Sequence, residues 1–131
     1  MQMSNPTKRI NGNLEVIAED CWTLLEKEFP DAVLNCTDSR ISFIDGNHSF
    51  FLDVTRDHYM LTTYFCHFFR YNMLSFENQS LVLQEIVEYN FVLRPERDYF
   101  VLMTKIKGKL NKNTVINLCV QIERMKALVP R

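Results

Sequence analysis

Glycine is scarce here. Gly12, Gly46 and Gly108 are the only three in 131 residues, and none belongs to a GxGxxG pattern, a phosphate loop or a GxSxG nucleophile elbow. That scarcity excludes the glycine-rich cradles that bring backbone N–H groups against phosphate. Closely spaced cysteines are lacking too. Cys21, Cys36, Cys66 and Cys119 stand far apart with no CxxC pair, which predicts free, partly buried thiols in a reducing cytoplasm rather than a disulfide framework or a zinc site. Long apolar runs are missing as well. The longest, Tyr59 to Phe69, is broken by Thr62, Thr63 and His67 and falls short of the about 20 residues that cross a bilayer. The start MQMSNPTKRINGN is polar with no apolar run after its basic residues, so no secretory signal is expected.

An excess of either charge is also absent, since the formal net charge is −1. The balance is uneven along the chain. Up to Leu93 there are 13 acidic and 6 basic residues, a difference of −7; from Arg94 onward 3 acidic and 9 basic residues leave +6. Internal pairing or a symmetric dimer accounts for such a split, and a nucleic-acid surface is the competing explanation.

What the sequence does contain is a β-meander. In RISFIDGNHSFFLDVTRDHYMLTTYF, residues 40–65, a two-residue turn at Gly46-Asn47 sets Asp45 opposite His48, Phe43 opposite Phe50 and Ile41 opposite Leu52. A second turn at Arg56-Asp57 sets Val54 opposite Tyr59 and Leu52 opposite Leu61. One face then carries Ile41, Phe43, Phe50, Leu52, Val54, Tyr59 and Leu61, an apolar set with the period of a sheet that covers a core. The other face is mixed: Arg40, Ser42, Ile44, Phe51, Asp53, Met60, Thr62 and Tyr64, with Arg40 and Asp53 as cross-strand partners.

Around the meander the periodicity predicts helices and one further strand. Residues 1–12 read as a disordered lead-in, and 13–131 as a single domain. Asn13 is placed to cap a helix that carries Leu14, Ile17, Ala18, Cys21, Trp22, Leu25 and Phe29 on one side and ends at Pro30. A short strand over Ala32 to Cys36 precedes the meander, and Cys66 to Leu74 extends its last strand or crosses over the domain. Ser75 caps a helix from Phe76 to about Phe91, with Leu81, Leu83, Ile86, Val87 and Asn90 toward its inner side. Arg94 to Asp98 reads as a charged break, Tyr99 to Lys107 as a strand, and Asn113 or Thr114 as the cap of a last helix. The expected fold is α+β, an antiparallel β-meander packed with three helices.

No catalytic or metal-binding constellation emerges. His48 and His58 sit at opposite ends of the sheet, His67 next to Cys66 has no ligand spacing, and Asp45, Asp53 and Asp57 are explained by turns and a cross-strand pair. The protein is therefore expected to be no enzyme and to need no cofactor or metal. Two candidate surfaces remain. Trp22, Phe51, Met60 and Tyr64 are the candidate contacts to a polypeptide partner. Lys105, Lys107, Lys109 and Lys112 form a candidate basic patch, with the first three expected on one side of an extended segment.

The amphipathic start Leu14 to Phe29, the turn-linked ISFIDGNHSFFLDV, the helix around LVLQEIVEYNFV and the strand YFVLMTKIK before a final helix give an element order that resembles the small chaperones of bacterial type III secretion systems. Sensory-transduction-regulator-like bacterial proteins share that fold. The resemblance implies a homodimer without catalytic activity that holds an extended segment of a client against its sheet and first helix. The alternative is a nucleic-acid-associated protein that uses the basic C-terminal part.

Overall fold

A computed structural model describes residues 12–129, with the side chains of residues 12–16 left aside. The expected lead-in over residues 1–12 lies outside the described residues except for Gly12, which already belongs to the first helix. The elements are α1 (Gly12–Glu28), β1 (Val33–Thr37), β2 (Arg40–Asp45), β3 (His48–Val54), β4 (His58–His67), α2 (Phe68–Asn72), α3 (Phe76–Glu88), β5 (Phe91–Glu96), β6 (Tyr99–Lys107) and α4 (Lys112–Lys126). The strands make one antiparallel sheet in the order β1-β2-β3-β4-β6-β5. The fold is α+β, as the alternation of the sequence requires.

The meander has the register its turns dictate. Ile41 pairs with Leu52, Phe43 with Phe50 and Asp45 with His48, while Leu52 pairs with Leu61 and Val54 with Tyr59. Gly46 turns the first hairpin at φ 62°, a conformation that costs glycine least. Ile41, Phe43, Phe50, Leu52, Val54 and Leu61 are all buried. The Phe43 and Phe50 rings stack at 4.5 Å, and the Phe29 ring meets Phe43 edge-on at 5.3 Å.

All four helices pack on this inner face. Ala18, Cys21, Trp22 and Leu25 of α1, Val82 of α3, and Val115, Cys119, Ile122 and Met125 of α4 share one core with it. The short α2 joins through Phe68 and Tyr71, whose rings lie 4.6 Å and 5.1 Å from that of Phe100. The molecule is thus two layers, helices on one side and a sheet on the other.

Four expectations are corrected. Arg94 to Asp98 is not a break: β5 runs through Arg94, Pro95 and Glu96, and Arg97-Asp98 alone turns into β6. Pro95 is tolerated because β5 is the last strand of the sheet, where a missing N–H breaks no inner ladder. The helix expected to reach Phe91 stops at Glu88, because Asn90 takes φ 57°, the left-handed residue that ends a helix. The inner side of α3 is set by Val82, with Ile86 and Tyr89 beside it, whereas Leu81, Leu83 and Val87 are exposed. The last helix is capped neither by Asn113 nor by Thr114. Asn111 is its cap, and its Oδ1 accepts the Thr114 N–H at 2.9 Å. Two more adjustments follow: α1 already includes Asn13, so that residue is no cap, and the segment after Phe65 extends β4 to His67 as allowed but then forms α2, a fourth helix where three were expected. Ser75 caps α3 as expected, accepting the Asn78 N–H at 3.1 Å.

Candidate functional site

The outer face of the sheet is built by the residues that alternate with the core. The register assembles them into cross-strand rows. Arg40, Asp53, Met60 and Lys105 form one row over β2, β3, β4 and β6; Asn35, Ser42, Phe51, Thr62, Met103 and Val92 form the next across all six strands. Beyond them, Val33 pairs with Ile44, and Tyr64 pairs with Val101, which pairs with Arg94. No helix among the described residues covers this face. Val33, Ile44, Phe51, Tyr64 and Val92 remain 43% to 64% exposed. These apolar residues stand among Asn35, Ser42, Asp53 and Thr62, so the face is mixed, with more exposed apolar surface than the polar side of a one-sided antiparallel sheet ordinarily shows to water.

Polar contacts hold the face in shape. Arg40 Nε and Nη2 donate to the two carboxylate oxygens of Asp53 at 2.7 Å and 2.9 Å, a bidentate pair that raises the Arg40 pKa above its usual value. The same guanidinium lies 4.8 Å from the centre of the Phe51 ring, so ring and ion pair fix each other. Arg94 Nη1 donates to the Met103 sulfur at 3.8 Å, and the Tyr64 and Tyr99 rings meet at 5.5 Å.

Of the residues expected to touch a partner, Phe51, Met60 and Tyr64 come together on this face. Trp22 does not. It is 4% exposed on α1, in the core on the opposite side of the sheet, and its Nε1–H finds no acceptor among the described residues. The first helix and the outer sheet face are therefore separate surfaces, because the sheet stands between them. The lysines also divide. Lys105 and Lys107 stay in line on β6, but Gly108 turns the chain at φ 79°, which takes Lys109 out of the row. Lys109 instead borders a cleft of about 130 Å³ with Asp20, Ile17, Cys21, Leu24, Tyr59 and Leu110. Lys112 opens α4.

The acid-rich and base-rich parts of the chain meet at a few points within the molecule. Glu85 reaches Arg124 at 3.4 Å, Asp20 and Lys109 share the cleft, and Asp57 feels Lys105. The Asp57 carboxyl is held below its usual range chiefly by a hydrogen bond with His58 at 2.8 Å. The other histidines lie near carboxylates as well, His48 at 3.6 Å from Glu123 and His67 at 3.8 Å from Asp98. No group of three His, Cys, Asp or Glu residues is set to hold a metal ion among the described residues. Burial raises all four thiols. Cys21 is pushed up to about 12 and Cys66 and Cys119 to about 11, with Cys36 raised for the same reason, so each is a protonated thiol at neutral pH.

One surface was hidden from periodicity. Phe76, Leu83 and Val87 of α3, spaced seven and four apart, form a second apolar stripe, with Phe76 86% and Val87 76% exposed. A shallow cleft lined by Leu83, Gln84, Val87 and Glu88 lies along it. No helix of the described residues is long and apolar enough to cross a membrane. Compared with known proteins, the chain matches no family model, no curated protein and no solved structure.

Proposed function

We propose that this protein is a non-enzymatic polypeptide-binding module that holds an extended segment of a partner against the outer face of its sheet. The single observation that carries this reading is the group of apolar side chains around Phe51, namely Ile44, Met60, Met103, Tyr64 and Val92, set among polar residues on a sheet face that no described helix covers. An extended segment suits it, because strand side chains alternate at the same spacing as the rows beneath. The resemblance to type III secretion chaperones supports the same reading. The homodimer that the resemblance implies would use α3, whose Phe76, Leu83 and Val87 stripe faces solvent. The bacterial setting comes from the resemblance alone, and a reducing cytoplasm accords with four free cysteines.

The test is a titration of a labelled ten-residue peptide with alternating apolar residues. Phe51→Asp and Tyr64→Asp are each expected to weaken binding at least about tenfold, because a buried carboxylate replaces apolar contact. Unchanged binding by both variants would sink the proposed surface. The mass in solution tests the dimer: two chains for the native protein and one for the Leu83→Glu, Val87→Glu variant are expected, and a native monomer contradicts it.

Nucleic-acid association through Lys105, Lys107, Lys109 and Lys112 is the second reading, favoured by the exposure of all four. The carboxylates of Asp57 and Asp20 beside Lys105 and Lys109 weigh against it. Binding of a mixed oligonucleotide that falls with salt and with Lys→Gln changes would support it, and no binding at low salt would dismiss it.

A further inference from the structure

We infer that the open sheet face selects extended segments that carry carboxylates beside their apolar residues, with Lys105 and Lys107 as the receiving groups. This rests on the polypeptide-binding reading and adds the chemistry of the partner. Lys105 lies in the same cross-strand row as Arg40, Asp53 and Met60, and Lys107 follows it opposite His58. Both lysines are exposed, and neither makes an ion pair within 4.0 Å among the described residues. The charges at this end of the face are Arg40, Arg56, Lys105 and Lys107 against Asp38, Asp53 and Asp57, four cations to three carboxylates, with His58 among them. Arg40 is already satisfied by Asp53, and Asp57 is engaged by His58. The positive charge left over is that of Lys105, Lys107 and Arg56, with Asp57 close enough to Lys105 to feel it, and the two lysines are the part of it that lies on the strand.

Their spacing defines what fits. Residues two apart on a strand point the same way about 7 Å apart, so Lys105 and Lys107 present two ammonium groups at the interval of same-face side chains in an extended chain. A partner segment lying along β6 with acids at two such positions meets both lysines, while its neighbouring apolar side chains lie toward Met60, Met103 and Phe51. Charge then sets the register that an apolar row alone leaves loose.

Three labelled ten-residue peptides of one alternating apolar pattern, carrying Glu, Gln or Lys at two successive same-face positions, test the inference by fluorescence anisotropy. The native protein is expected to bind the Glu peptide about five- to tenfold more tightly than the Gln peptide, the scale of two exposed ion pairs, and the Lys peptide most weakly. The preference should fade at high salt. The Lys105→Gln, Lys107→Gln variant should bind all three alike, at the affinity of the Gln peptide. Equal binding of Glu and Gln peptides by the native protein, with that binding still lost in Phe51→Asp, overturns charge selection and leaves the polypeptide-binding face intact. Failure of every peptide to bind overturns both. Salt-sensitive binding of oligothymidylate that disappears in the lysine variant also overturns the inference, since the lysines would then serve phosphate.

Discussion

Arg97 is the residue whose backbone is least at ease. It turns β5 into β6 at φ 40°, in the left-handed region where an ordinary side chain costs roughly 1–2 kcal/mol. Asp38 and Asn90 also have positive φ, yet their short polar side chains tolerate it. Arg97→Asn is therefore expected to raise stability by up to about 1 kcal/mol in urea unfolding, and a loss of stability would refute the strain. Cys21 makes a different prediction. Burial lifts its pKa from 9.0 to about 12, so the unfolded chain releases that proton first as pH rises. Its contribution is complete below pH 9 and is lost as pH climbs toward 12. Replacing it by Cys21→Val should flatten the decline of stability over that window.

At the scale of elements, the caps separate two readings of the last helix. Asn111→Ala is expected to cost about 1 kcal/mol and Asn113→Ala only a few tenths, because the Asn111 Oδ1 accepts from both the N–H and the hydroxyl of Thr114. Chemical denaturation of the two variants side by side checks this. The meander was legible to the residue because two-residue turns leave one register, and one register leaves one set of inward side chains. β5 was not legible: Arg94, Pro95 and Glu96 look like a loop unless the strand is known to lie at the edge of the sheet. For the same reason, the two apolar stripes of α3 could not be ranked from spacing. Val82 faces the core and Leu83 does not, a choice made by where the helix meets β5. The outer-face candidates Phe51, Met60 and Tyr64 followed from parity alone, while Trp22 failed because an amphipathic helix hides its aromatic residue on the side that packs.

At the scale of the whole molecule, the layers explain why the proposed partner surface falls on the outer face of the sheet. Every helix described lies on one side, so the chain buries one sheet face thoroughly and leaves the other to water. The acid-rich and base-rich halves meet through Glu85 with Arg124 and around the Asp20 and Lys109 cleft, while Lys105 and Lys107 make no ion pair among the described residues. Mapping the alternating apolar peptide by methyl chemical shifts addresses the central claim most directly. Shifts at Ile44, Met60, Val92 and Met103, with Leu25, Ile122 and Met125 unmoved, are the expected result; shifts confined to the helical layer would contradict it.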